Sequence, residues 1–301
     1  MAATLPLPGL PSSVQGLNIL SIQSWVAYGH VGNAAATFPL QRLGAEVWAV
    51  HTVQFSNHPG YGAWAGQVFT GAMVGAVVDG IAARGVLPGC DAVLSGYMGE
   101  PGVGEAILHA AARVRQANPS ALYCCDPVMG DDGALYVRPG IPELIAGRAV
   151  PTADLLTPNQ FELERLTGGA CRTEAEVRRA VALLQGRMAA SGPRVVLVTS
   201  LRTAGTPEGS LDMVAADGEG MHLLRTPLLP LRPNGAGDAI AALFLFHFLN
   251  TGRAAAALEA AGSAVHGLLR RTQAAGVREI VLVAAQEEIV RPSRWFSAQE
   301  Y

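Results

Sequence analysis

Short apolar runs alternate with amphipathic stretches along almost the whole chain, and no other feature constrains the fold as tightly. Leu17-Asn18-Ile19-Leu20-Ser21-Ile22 reads as a first buried strand and Glu46-Val47-Trp48-Ala49-Val50 as a second. Further strands are expected at 92–95, 122–125, 155–157 and 195–199. Helix-like stretches lie between them, at 33–43 (ending at Gly44), 102–117 and 173–190. The last opens on Thr173 with Glu176 three residues on, the pattern of a capping box. This order predicts parallel crossovers: an α/β fold with a mostly parallel central sheet and helices on both faces. In such sheets ligands bind beyond the carboxyl ends of the strands.

Composition fits that reading. Half of the 301 residues are hydrophobic and 15% are charged, enough apolar material for one large core. No repeat or long linker divides the chain, so 17–301 reads as a single domain. Residues 1–16, rich in proline and serine, read as a flexible leader without the basic-then-apolar order of a secretion signal. A net charge of −3 makes no case for nucleic acid as a partner. No apolar run is long enough to span a bilayer. Cys90, Cys124, Cys125 and Cys171 lack metal-site spacing, so the expected location is the cytoplasm, with the thiols reduced. All 21 basic residues are arginines. Without lysine, the P-loop nucleotidases and Schiff-base enzymes are excluded by their chemistry. The small, polar stretch 203–220 suggests a hairpin, and Asp131-Asp132-Gly133 a turn forming a lip over the site.

The chemistry concentrates at Asn234-Gly235-Ala236-Gly237-Asp238, which runs directly into the apolar Ala239-Ile240-Ala241-Ala242-Leu243. Glycines allow a tight turn, and the amides at the helix start then face outward, unpaired, at the positive end of the dipole. Such a spot attracts phosphate. A carboxylate at the same place either complements the dipole or serves as a base that takes a proton from an attacking hydroxyl. Other polar groups fall at predicted strand ends: 24–32, Asp126, Thr157 to Glu162, and Thr199-Ser200. Convergence of these groups on one rim would make a site.

Several segments together resemble the pyridoxal kinases of the ribokinase-like superfamily, over roughly residue 18 to the C-terminus. They are Ser21-Ile22-Gln23-Ser24, Tyr28-Gly29-His30-Val31-Gly32-Asn33, Thr52-Val53-Gln54-Phe55-Ser56-Asn57-His58, Ser95-Gly96-Tyr97, Cys125-Asp126-Pro127-Val128-Met129-Gly130, Thr157-Pro158-Asn159-Gln160-Phe161-Glu162 and Gly235-Ala236-Gly237-Asp238. The last belongs to the whole superfamily; the Gln-Ser and Val-Gln-Phe-Ser-Asn-His segments are specific to the pyridoxal branch. The resemblance implies a three-layer ribokinase-like fold and transfer of the ATP γ-phosphoryl group to the 5′-hydroxyl of pyridoxal. Asp238 would be the base, and the amides of Gly235, Ala236 and Gly237 would hold the developing charge. Ser24, Val31, Phe55, His58, Pro59, Gly60, Tyr97 and Tyr136 would contact pyridoxal. Asp126, Thr157, Asn159, Glu162, Thr199 and Ser200 would lie near ATP. Mg²⁺ would be held by Asp126, Asp131 and Glu162, mostly through water, with K⁺ a further family expectation near Asp126, Thr157 and Thr199. Relatives are usually homodimers.

Three features depart from the pattern. Pro59 stands where many relatives carry threonine, which removes a hydroxyl and an amide donor. The stretch 226–233 looks shorter than in close bacterial relatives. The absence of lysine leaves Arg138 as the basic lid candidate. The rival readings are a hydroxymethylpyrimidine kinase of the same superfamily and a pyridoxal-binding carrier with little turnover.

Overall fold

The computed structural model describes residues 16–131, 133–231 and 233–301. All but Gly16 of the proposed leader, and Asp132 of the lip, lie outside those residues.

The chain runs β1 (Asn18–Val26), α1 (Asn33–Arg42), β2 (Glu46–Phe55), β3 (Gly66–Val68), α2 (Gly71–Ala82), β4 (Ala92–Ser95), α3 (Pro101–Ala117) and β5 (Leu122–Cys125). A small hairpin of β6 (Gly130–Asp131) and β7 (Ala134–Leu135) follows. Next come α4 (Ile141–Leu144), a π-helical turn (Ile145–Ala149), α5 (Val150–Thr152), β8 (Leu155–Leu156), α6 (Gln160–Thr167), α7 (Glu174–Arg187) and β9 (Val195–Leu201). The chain closes through β10 (Ser210–Asp217), β11 (Gly220–Pro227), α8 (Ala236–Thr251), α9 (Ala254–Ala275), α10 (Glu287–Val290) and β12 (Gln299–Glu300).

The ten-stranded sheet has the order β12-β11-β10-β9-β8-β5-β4-β1-β2-β3. Its six inner strands, from β9 to β2, are parallel. Antiparallel strands complete both edges. Strand β1 shows why this is a three-layer fold. Its buried residues alternate, with Leu20 and Ile22 packing in a core with α2, α3 and α7, and Ile19 in a second core with α1, α8 and α9. Strands buried on both faces read as continuous apolar runs, the pattern seen in the sequence.

Strands 92–95 and 122–125 fall where the sequence places them, and α7 opens on the Thr173–Glu176 capping box. Two expectations need correction. Strands β1 and β2 run on to Val26 and Phe55, because polar residues continue the ladder: Gln23 pairs with His51 and Trp25 with Gln54 across a register shift. The hairpin assigned to 203–220 lies further on, pairing β10 with β11 from Ser210↔Pro227 to Asp217↔Gly220. Residues 203–209 form its approach, where the polar composition marks turns and not strand.

Candidate active site

The first strand ends in a loop that returns on itself. Trp25 bridges Gly32, whose positive φ of 54° brings it onto Ser24: a Cβ there would lie 2.3 Å from both the carbonyl oxygen and Oγ of Ser24. Asn33 then starts α1, fully buried. Its amide oxygen accepts from Ser21 Oγ at 2.7 Å, and its nitrogen donates to the Val50 carbonyl at 3.0 Å. This network fixes the place where Gly32 turns.

The glycine turn packs directly on that loop. Gly235 has φ +86°, and a Cβ on it would fall 1.8 Å from the His30 carbonyl oxygen. Only glycine satisfies both the conformation and the contact. Helix α8 begins at Ala236 with Gly235 as its cap and without a side-chain cap, so the amides of Ala236 and Gly237 face outward for an anion. Asp238 sits in that first turn, half-buried. Its carboxylate accepts from the Gly32 amide and from its own, while burial raises its pKa above the usual carboxylate value. The dipole-complement reading alone does not account for this tether to a loop two hundred residues away.

Three further carboxylates lie at the same end of the sheet, and one of them, Asp126, feels the charge of Asp238. Asp126, buried at the end of β5, accepts from Thr157 Oγ1 at 2.9 Å. Burial raises its pKa, and the negative charges of Glu162 and Asp238 raise it further. Glu162 is buried at the start of α6 and completes a reciprocal capping box with Asn159, the two bonds being 2.8 and 2.9 Å. Its other oxygen accepts from Met129 N at 2.9 Å, and Gly130 N donates to it as well. Burial nevertheless raises its pKa. Asn159 Nδ2 donates to the Gly130 carbonyl at 2.9 Å, so the loop after β5 is pinned to the start of α6 from both sides. Asp131 follows on β6, in the lip, and its charge reaches both Glu162 and Tyr136.

Among the described residues no group of three or more His, Cys, Asp or Glu side chains is close enough to form a metal cage. A set of carboxylates that raise one another's pKa still fits a hydrated cation shared with phosphate, as Mg²⁺ prefers. Glu162, with both oxygens engaged by backbone amides, acts first as a brace. Thr199 donates its amide to Pro158 O at 2.9 Å and forms a parallel bridge with Asn159. Ser200 follows in the left-handed region, φ 53°, and is exposed. A non-glycine residue held there fits a functional strand end.

The residues expected to wall the acceptor form a small cluster of their own. Val31 and Phe55 are buried with Val26 and Val53, and Tyr97 packs half-buried against them. Ser24 is buried, two residues before Val26 of this cluster. His58, Pro59 and Gly60 sit on the flap after β2. Pro59 opens a short 3-10 turn with His58 as its cap, and His58 Nδ1 accepts from Gly60 N at 3.0 Å. Proline suits that first position, so Pro59 has a structural account. Tyr136 is exposed on the lip, and the charges of Glu162, Asp126 and Asp238 all reach it. Arg138, also exposed, acts on Tyr97. The residues expected near nucleotide, phosphate and acceptor thus converge on one end of the sheet.

Sequence reasoning missed two groups. Trp64 packs on Phe55 with ring centroids 4.1 Å apart and planes tilted by 38°, from a loop with no periodic signal. Arg278 and Glu279, beyond α9, reach the flap from more than two hundred residues away; no local pattern marks such a contact.

Fold and site together define a small-molecule kinase of the ribokinase-like class. A model of the phosphomethylpyrimidine kinase family matches residues 89–282. The pyridoxal kinase PdxY of Granulibacter bethesdensis is 66% identical over 284 residues, covering 94% of this chain and 99% of the relative. That of Deinococcus radiodurans is 59% identical over 285 residues, covering 94% and 96%. The structure of pyridoxal kinase from Leishmania donovani in complex with ADP and pyridoxamine superposes with a TM-score of 0.85 at 28% identity, covering 94% and 99%. The chain belongs to the pyridoxal kinase family.

Proposed function

We propose that the chain transfers the γ-phosphoryl group of ATP to the 5′-hydroxyl of pyridoxal, giving pyridoxal 5′-phosphate, on one kinase domain spanning 17–301. The observation that carries this is Asp238: a carboxylate tethered by the Gly32 amide, in the same first turn as the helix-start amides of Ala236 and Gly237. Asp238 takes the proton of the acceptor hydroxyl as that oxygen bonds to the γ-phosphorus and the bond to the β-phosphate breaks. Its raised pKa makes it a stronger base than an exposed carboxylate. The amides of Gly235, Ala236 and Gly237 face the charge that develops on the transferring group. Asp126, Asp131 and Glu162 would hold Mg²⁺, mostly through water; when bound, the ion neutralises phosphate charge. Thr157, Asn159, Thr199 and Ser200 line the nucleotide side, and K⁺ belongs near Asp126, Thr157 and Thr199. Ser24 faces the polar edge of the ring, walled by Val31, Phe55, Tyr97 and Tyr136 with the His58-Pro59-Gly60 flap above.

A second acceptor reading, hydroxymethylpyrimidine, rests on the description of the matching family model. We also propose a homodimer, supported by α2, which exposes Ala72, Met73, Ala76 and Val77 in one helix. A cytoplasmic location is supported by four buried, unpaired cysteines. No helix among the described residues is long and apolar enough to cross a membrane.

Asp238→Asn tests the mechanism. We expect kcat to fall about 10²–10⁴-fold, with ADP affinity, measured by calorimetry, unchanged. Turnover within threefold of the wild type, about 0.7 kcal/mol of barrier, would remove Asp238 from the base role.

A further inference from the structure

The flap is fastened from outside its own neighbourhood. Tyr61, next to Gly60, donates its hydroxyl to Glu279 Oε1 at 2.5 Å. The other oxygen of Glu279 accepts from the His30 amide at 3.2 Å. There is room for it because Gly29, at φ +91°, carries no Cβ, which would lie 2.3 Å from that oxygen. Arg278 lies over the Tyr61 ring, 4.2 Å from guanidinium carbon to centroid, and donates to the Gly60 carbonyl at 2.9 Å. One adjacent pair thus grips two loops, 27–32 and 57–64, that come from different strands. Both loops belong to the acceptor side: the first carries Val31 and the Gly32 amide on Asp238, the second His58 and the Trp64 ring on Phe55. Nothing on the nucleotide side touches this pair in the bonds described.

We propose that Glu279, with Arg278, is a positioning residue that holds the flap closed over the acceptor pocket and so sets affinity for the acceptor and not for ATP. This rests on the acceptor reading given above. The carboxylate is required because two donors converge on it from opposite sides; a neutral side chain with one acceptor oxygen can satisfy only one donor directly. A charge-assisted bond of this kind is among the stronger ones available at a surface.

The test is steady-state kinetics of Glu279→Ala, Glu279→Gln and Tyr61→Phe, with pyridoxal and ATP varied in turn, beside the quenching of tryptophan fluorescence by pyridoxal. We expect Glu279→Ala to raise the KM for pyridoxal about tenfold, with the KM for ATP within twofold of wild type. Glu279→Gln should recover part of the loss, since its amide can accept from His30 N and donate to Tyr61. Tyr61→Phe, which removes one exposed hydroxyl and leaves the fold intact, should shift pyridoxal affinity in the same direction. Added to Glu279→Ala, it should cost nothing more. Equal changes in both KM values, or no change in pyridoxal affinity in Glu279→Ala and Tyr61→Phe, would overturn the positioning role. A wild type that binds and phosphorylates no pyridoxal would instead refute the acceptor reading, so the two failures are distinguishable.

Discussion

In the proposed reaction Asp238 and Asp126 carry different demands: one accepts a proton, the other stays charged beside phosphate. Burial lifts both above the ordinary carboxylate range, and Asp126 also feels Glu162 and Asp238. Carboxylates whose folded pKa is raised bind protons more tightly in the fold, so they weaken it progressively as pH rises above the ordinary carboxylate range. Half-buried histidines such as His51 and His247 act the other way, because partial burial lowers their pKa. The clean observable is therefore the cation's own contribution. Protons compete with Mg²⁺ for Asp126 and Glu162, both raised by burial, so the rise in Tm produced by Mg-ADP should grow as pH climbs from the ordinary carboxylate range toward about 8, to which Glu162 is pushed. Asp126→Asn should flatten that growth; a pH-independent gain in the wild type would contradict the assignment. Gly235 offers a second test at this scale. Gly235→Ala should lower kcat by about 10²-fold or more, because the helix-start amides must shift when its Cβ meets the His30 carbonyl. Turnover close to wild type would show that the turn does not hold the transferring group. The sequence made Gly235 and Asp238 conspicuous, because an acid at a glycine turn that would otherwise attract phosphate calls for a role of its own. The tether from Gly32 to Asp238 was illegible, since it depends on two loops meeting.

Two capping boxes of the same chemistry separate structural from functional helix starts. Thr173 and Glu176 cap α7 at an exposed position and bind only local backbone. Asn159 and Glu162 cap α6 and also hold the loop after β5, through Gly130 O, Gly130 N and Met129 N. Thr173→Ala should cost about 1 kcal/mol of stability with the KM for ATP unchanged. Asn159→Ala should cost a similar amount and also raise the KM for ATP several-fold, because the loop carrying Asp126 loses an anchor. Denaturation midpoints and ATP kinetics on both variants check this; equal kinetic effects would deny α6 its special place. The Thr173 box was readable from spacing alone. The Asn159 segment was visible as a polar strand end, but its grip on the loop after β5 was not, since those partners lie thirty residues earlier. Strand ends past Ile22 and Val50 were hidden for a related reason: polar residues there continue the ladder toward the site, where the hydrophobic pattern stops.

The whole molecule explains why scattered residues meet. Six parallel strands place their carboxyl ends on one side, and the loops after β1, β2, β5, β8 and β9 all open there, facing the start of α8. That architecture was legible from the alternation of apolar runs with helices, and the rim followed from it. The C-terminal grip on the flap was not, because contact between residues 61 and 279 leaves no trace in local pattern. The apolar face of α2 has its own test at this scale. Val77→Glu should turn a dimer into a monomer in light scattering after gel filtration, whereas an unchanged mass would place the interface elsewhere. The central claim, an ATP-dependent kinase whose acceptor is pyridoxal, is tested most directly by incubating the purified protein with Mg-ATP and each of pyridoxal, hydroxymethylpyrimidine and ribose, following product and ADP together. Stoichiometric pyridoxal 5′-phosphate and ADP, with little product from the other two acceptors, is the predicted result; product chiefly from hydroxymethylpyrimidine, or no acceptor-dependent ADP at all, would contradict it.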